Sequence, residues 1–170
     1  MSMEYNVFQT DWGFVGLVGS GNEVSSLILP LPAKDLVLRS LGQTREGKLA
    51  YNPVLFPRLT EQLQAYFAGY RVDEWACEPD LSLCSDFTRR VLLATALIPY
   101  GAVQTYGMLA QNAGCSRGSR AVGQALKRNP LPIIIPCHRV VAAGGLGGFS
   151  APGGLETKKA LLKLEGHGKN

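Results

Sequence analysis

The stretch PLPIIIPCHRVV, residues 130–141, sets a thiol, an imidazole and a guanidinium side by side as Cys137, His138 and Arg139. A thiolate is the nucleophile in cysteine chemistry, so a reactive thiol needs a base or a positive charge close by. His138 is next in sequence, but neighbours on an extended strand point to opposite faces. Either the chain bends after Pro136 or a water bridges the two groups, and the expectation is that His138 acts on Cys137 indirectly.

An imidazole base is usually oriented by a carboxylate. The second half of the chain offers only Asp86, Glu156 and Glu165. Glu165 ends the helical pattern GGLETKKALLKLEG, where an acid opposes the helix macrodipole by about 0.3–1 kcal/mol. So unfavourable a place suggests another duty; an ion pair with Lys158, Lys163 or His167 is the alternative. The other cysteines, Cys77, Cys84 and Cys115, form no C-x-x-C pair. They read as small buried hydrophobes in a reducing compartment. The glycine-rich AAGGLGGFSAPGG fails both G-x-G-x-x-G and P-loop spacing. It reads as a flexible wall over the cysteine.

These groups need a scaffold. A chain of 170 residues, 46% hydrophobic and 18% charged, can bury a real core in one or two small domains. No apolar run is long enough to span a bilayer. MSMEYNVFQTDWG lacks the basic start and apolar stretch of a signal peptide, so an intracellular protein is expected. Residues 1–85 hold six Lys/Arg against ten Asp/Glu, a balance of −4, whereas residues 86–170 hold eleven against three, a balance of +8. That asymmetry points to two units, the second with either a polyanionic partner or merely a basic surface.

The first unit, 1–80, reads as a small α/β domain. NVFQT and GFVGLVG are strands joined at Asp11-Trp12-Gly13, SSLILPL offers a third, and PRLTEQLQAYFAGY has helical spacing with Thr60 as its cap and Gly69 at its end. Residues 71–85 read as a linker. The second unit, 81–170, is mainly helical. DFTRRVLLATALIPYG is a helix capped by Ser85 or Asp86, and QTYGMLAQNAG and SRGSRAVGQALKR are two short helices in a helix-turn-helix pattern, winged-helix-like in organisation. Ile133, Ile134 and Ile135 read as a buried strand leading to Cys137.

The helix from Ser119 to about Arg128 carries few groups that read base edges. Its first turn is small side chains around one long cation, Arg120, while Lys127 and Arg128 can neutralise phosphates in any sequence. It suits close, sequence-neutral approach to DNA; a packed αα-hairpin is the alternative.

NPLPIIIPCHRVVAAGGLGGFS, preceded by YGMLA and SRAVGQALKRNP and followed by LLKLEG, resembles the O6-alkylguanine-DNA alkyltransferases, in which P-C-H-R-V is the acceptor motif. The likeness is close from Asp86 to His167. It implies a variable α/β domain followed by a helical catalytic domain with a helix-turn-helix. It also implies irreversible, single-turnover transfer of an alkyl group from O6 of a flipped guanine to the protein's own cysteine, without a cofactor. Residue by residue, Cys137 would be the acceptor, His138 the base acting through water, Glu165 its orienting acid, and Asn129 the support of the network. Tyr106 would contact DNA and aid proton delivery. Arg120 would take the extruded nucleotide's place, with Ser119, Ala121, Gly123, Lys127 and Arg128 along the DNA. Leu126, Pro132, Val140, Phe149 and Ser150 would line the base pocket, the Cys137 and Val140 carbonyls facing the guanine amine.

The implied partner is double-stranded DNA bearing O6-alkylguanine, and also O4-alkylthymine, met by a monomer in the cytoplasm at the nucleoid, or in a nucleus. Phe149 stands where many relatives carry tyrosine, and FSAPGG is longer than the usual form. The cysteines and histidines of the zinc site seen in some relatives are absent, so no metal is expected. The competing reading within this resemblance is a lesion sensor that flips damaged guanine without repairing it; such relatives lack the acceptor cysteine. A cysteine hydrolase leaves the helix-turn-helix unexplained, and a transcription regulator would need a more informative recognition helix.

Overall fold

The computed structural model describes residues 2–44 and 48–168. The chain forms two compact units, Met1–Leu81 and Ser82–Asn170.

In the first unit, β1 (Glu4–Thr10), β2 (Gly13–Ser20) and β3 (Glu23–Leu31) form an antiparallel meander. The β1–β2 turn is closed by Thr10, whose Oγ1 donates to the Gly13 carbonyl at 2.8 Å. Short strands β4 (Ala50–Tyr51) and β5 (Glu78–Pro79) add in parallel at either edge, giving the order β4-β1-β2-β3-β5. Helix α1 (Lys34–Thr44) packs on β2 and β3, and α2 (Pro57–Phe67) on β1. β2 is buried from Val15 to Gly19 without alternation, as a central strand should be. Its Gly16 lets α1 approach: a Cβ there would lie 2.6 Å from Val37 Cγ1.

Three expectations for this unit are corrected. α1 was unforeseen. α2 begins not at Thr60 but at Pro57, whose fixed φ suits a first helical position; Thr60 Oγ1 is instead buried without a hydrogen-bond partner. The segment read as a linker is partly sheet: Glu78 N donates to the Asn22 carbonyl at 3.0 Å and Asp80 N to Val24 at 2.8 Å.

The second unit opens with α3 (Asp86–Ala96), capped by Ser85 Oγ, which accepts from Thr88 N. α4 (Tyr106–Asn112) is capped by Thr105 Oγ1, and α5 (Ser119–Lys127) follows through a tight link in which Gly114 has φ +79°. Helices α3, α4 and α5 pack on one another as a helix-turn-helix. β6 (Gln104–Thr105) pairs in parallel with β7 (Val140–Val141), and α6 (Gly154–Leu164) ends the unit.

The isoleucine run is buried but is not a strand. Pro130, Pro132 and Pro136 remove three ladder donors. The chain turns instead, with Ile133 at φ +74° and Ile135 N donating to the Leu131 carbonyl at 2.8 Å. After Pro136 it enters a 3-10 turn, Cys137–Arg139, so it does bend immediately before the cysteine.

Candidate active site

Two segments hold Cys137 from behind. The Asn129 side chain donates to the Ile135 carbonyl at 2.8 Å and accepts from Leu131 N at 3.0 Å, tying the end of α5 to the turn before the cysteine. The 3-10 turn itself is closed by Arg139 N donating to the Pro136 carbonyl at 2.9 Å. Burial raises the Cys137 thiol above its ordinary value, against the opposing pull of the Asn129 side chain, the Lys158 ammonium and the backbone N–H groups of Cys137 and His138. The resting sulfur is therefore a thiol, and its chemistry requires a proton acceptor.

The candidate from the sequence for that acceptor is His138. His138 is 1% exposed and its Nε2 lies 2.8 Å from Glu165 Oε1. Burial pushes the imidazole below its ordinary value; Glu165 opposes this, while Arg139 and Lys158 add to it. Glu165 stands at the C-cap of α6, and its carboxylate also accepts from Arg139 Nε and Nη2, both at 2.9 Å, and from Gly101 N at 3.3 Å. Neither Lys158, Lys163 nor His167 is the ion partner considered from spacing; Arg139 is. Arg139 also donates to the Ile98 carbonyl at 2.6 Å and lies 5.7 Å over the Tyr100 ring.

In front of Cys137 lies a cavity of about 350 Å³, lined by Tyr106, Ser119, Arg120, Gly123, Leu126, Lys127, Phe149 and Ser150, with Gln124 and Gly148. It is of a size to take one nucleobase-sized ligand. Behind the wall, Gly147 lets the loop pack on the Tyr106 ring: a Cβ there would meet Tyr106 Cε2 at 2.7 Å. Burial holds the Tyr106 hydroxyl above its ordinary value, so it is protonated near neutrality, and it donates to the Gly148 carbonyl at 3.4 Å.

Not every expected residue reaches this cavity. The Val140 side chain is wholly buried and its carbonyl accepts from Lys158 Nζ at 2.6 Å, so Val140 does not line the pocket as expected. Pro132 is spent in the turn, bridged to Ile135, and is likewise absent from the lining. Ala121 on α5 and Arg128 at its C-cap, expected along the DNA and not in the pocket, lie exposed.

Sequence reasoning missed Lys158, Arg139 and Gln124. Lys158 is 0% exposed, donates to both the Val140 and Gly148 carbonyls, and is pulled down to about 8 by burial. A legible signal existed: Lys158 shares one helical face with Leu161, Leu162 and Glu165, at spacings that place it on the buried side of α6. Among the described residues, no group of three or more His, Cys, Asp or Glu is placed to hold a metal ion.

Comparison with known proteins agrees with this geometry. Residues 86–167 match the DNA-binding domain of 6-O-methylguanine DNA methyltransferase. The chain is 43% identical over 145 residues to a methylated-DNA–protein-cysteine methyltransferase of Mycolicibacterium paratuberculosis, covering 81% of this chain and 86% of that one. It is 38% identical to the Mycobacterium tuberculosis protein of the same name, covering 96% and 92%. Among solved structures, M. tuberculosis O6-methylguanine methyltransferase superposes with a TM-score of 0.78 at 36% identity, covering 96% of this chain and 92% of that one. The M. tuberculosis OGT in complex with DNA superposes with a TM-score of 0.80 at 37% identity, covering 95% and 92%. The half-buried thiol on the cavity, the histidine–carboxylate pair beside it in sequence and fold, and the matching chain on both sides of them have one explanation: this chain belongs to the methylated-DNA–protein-cysteine methyltransferase family.

Proposed function

We propose that the chain repairs double-stranded DNA by flipping out O6-alkylguanine and taking the alkyl group irreversibly onto Cys137 Sγ. The observation that carries this is the placement of Cys137 on a base-sized cavity between Tyr106 and α5, with His138 and Glu165 buried behind it. A base inside a duplex is out of reach, so it must leave the stack, at a cost of roughly a few kcal/mol. Small Gly123 and the cation Arg120 on α5 suit close approach to the minor groove and replacement of the departed base.

Successive side chains of a 3-10 turn diverge by about a third of a turn, so the thiol proton passes from Cys137 to His138 through a water. Glu165 steadies the imidazolium so formed. Lys158 and the backbone N–H groups of the turn stabilise the thiolate. The sulfur–carbon bond forms as the carbon–O6 bond breaks, and the released electron pair goes to the guanine, which takes up a proton supplied by the Tyr106 hydroxyl. The tyrosinate is then reprotonated through water by the His138 imidazolium, which returns to neutral imidazole. In sum, thiol plus O6-alkylguanine gives S-alkylcysteine plus guanine. Each molecule turns over once, and no cofactor enters the balance.

The site residues all belong to the Ser82–Asn170 unit, which we assign as the catalytic and DNA-binding domain. O4-alkylthymine, with the same alkyl–oxygen bond, is a second substrate. Single-copy chemistry of this kind suits a monomer, and four free thiols suit the reducing cytoplasm. A lesion sensor without transfer would have no use for Cys137.

Mass spectrometry tests the reading. After incubation with a duplex containing one O6-methylguanine, the tryptic peptide of residues 129–139 should carry one added methyl group, once per molecule. Unmodified peptide, or repeated turnover by unmodified protein, would overturn it.

A further inference from the structure

Resting on the reading of His138 as acceptor of the Cys137 proton, one residue outside that relay has a further role. Arg139 follows His138 directly, yet its side chain reaches the same carboxylate. Its Nη2 shares Oε1 of Glu165 with the imidazole, both within 2.9 Å, and its Nε takes Oε2. Glu165 thus meets two strong donors on one oxygen and, with Gly101 N, two on the other. The guanidinium is fixed on its own far side by the Ile98 carbonyl and the Tyr100 ring.

We propose that Arg139 is a positioning residue for the transfer reaction: its two-point grip on Glu165 takes up the carboxylate's charge, so that His138 rests on it as a neutral imidazole with its proton on Nε2. A carboxylate alone against a buried imidazole favours the charged imidazolium. An imidazolium cannot accept the thiol proton. A carboxylate already paired with a guanidinium, which is always charged, still orients the ring by accepting its Nε2–H but no longer draws a second proton onto it. Nδ1 is then the basic nitrogen, as a proton acceptor requires.

The other groups facing His138 act in the same sense or are used by the reaction. Lys158 of α6 adds positive charge and disfavours imidazolium, and burial does the same, while Glu165 alone opposes them. Cys137 in the same turn is the proton donor. Asp86 and Glu156 are exposed and ion-paired elsewhere, with Arg89 and Lys159.

The chain has two histidines, so the His138 resonances can be assigned and followed in a nitrogen-15 NMR titration of the full-length protein without DNA. In the parent, His138 should titrate below the ordinary histidine value of about 6.5, with the proton on Nε2 above that point. Arg139→Gln should raise the His138 midpoint by about one pH unit or more. Arg139→Lys, which keeps the charge but not the fork, should fall between the two. The acid limb of the rate of methyl transfer to Cys137 should move upward in the same order. A His138 midpoint in the parent above about 6.5 overturns the proposal whether or not either variant folds. So do variants that lower the rate equally at every pH with the midpoint unmoved, the mark of a merely structural role. Because the titration needs no substrate, a protein that transfers no methyl group at all would refute the repair reaction without touching this result.

Discussion

Lys158 Nζ lies 2.6 Å from the Val140 carbonyl oxygen and 3.1 Å from that of Gly148, with the whole side chain buried. One ammonium thereby joins three things: the strand leaving the Cys137 turn, the glycine-rich loop over the cavity, and the electrostatic field at the sulfur. Its ring neighbour Tyr106, 5.8 Å away, completes the wall. Two carbonyl acceptors and a nearby thiol hold a cation where desolvation disfavours one.

This arrangement makes stability depend on pH. The Lys158 ammonium titrates at about 8 in the folded chain, below its unfolded value of 10.5. The unfolded state therefore binds more protons between those values, and the Lys158 contribution to stability rises as pH rises through that window. Comparison with Lys158→Met isolates the effect from other groups. Urea unfolding at pH 7 and near pH 10 should show the parent gaining about 1 kcal/mol or more on the variant at the higher pH. An unchanged difference would mean that Lys158 is not desolvated in solution. The variant should also transfer methyl groups more slowly at neutral pH, since Cys137 loses a nearby cation.

Glu165 is the hinge of the buried charges, and Glu165→Gln should be costly. It leaves the Arg139 guanidinium, 6% exposed, facing a neutral amide. Breaking a buried pair from one side typically costs about 3–5 kcal/mol. Chemical denaturation should show a loss of that order, with methyl transfer reduced as well. Adding Arg139→Met to Glu165→Gln should recover part of the stability but none of the transfer rate. A double variant less stable than the single would show that the charge pair is not what Glu165 contributes.

How far the site was legible follows from what each residue does. Cys137, His138 and Glu165 stand out because their types have few bland uses at those places in the pattern. Lys158, read only as a possible ion partner of Glu165, and Arg139, read with no role in the site, are less legible because long cations are normally solvated. Only the helical face that Lys158 shares with Leu161 and Leu162 marks it as buried. The run Ile133–Ile135 was misread for a different reason. Burial and an apolar run fit a strand and a buried turn equally, and the deciding facts were three prolines and the left-handed backbone of Ile133. α1 was missed because it buries little of its surface, chiefly Val37 and Leu41, in a chain whose strands had taken the clearer signals. Thr60 has a cap residue's side chain, but Pro57 starts the helix three residues earlier because its fixed φ suits a first helical position.

Asn129 should matter more to the cysteine's placement than to the DNA surface. Asn129→Ala removes the donor to the Ile135 carbonyl and the acceptor of Leu131 N, both within a buried turn. A buried backbone group left unpaired costs about 1–3 kcal/mol. The expected result is a melting temperature lower by about 4 °C or more, since each kcal/mol lost shifts a domain of this size by about 4–8 °C. Methyl transfer should slow even well below that temperature, because the turn before Cys137 loosens. Unchanged melting and unchanged transfer would show that the turn is held by Ile133 and the prolines without it.

Arg120 separates capture of the base from the chemistry. It lines the cavity from the first turn of α5. If it holds the place of the flipped nucleotide, Arg120→Ala should slow methyl transfer from duplex DNA while sparing transfer from free O6-methylguanine base, which needs no flipping. Losing part of a flipping cost of roughly a few kcal/mol should lower the duplex-to-free-base rate ratio about 10- to 100-fold. Duplex affinity should change less, with the salt slope falling by about one phosphate contact at most. Single-turnover rates on the two substrates, measured side by side with the parent, decide the matter. An equal fall on both would place Arg120 in the chemical step, and no fall on the duplex would remove it from the flipping step altogether.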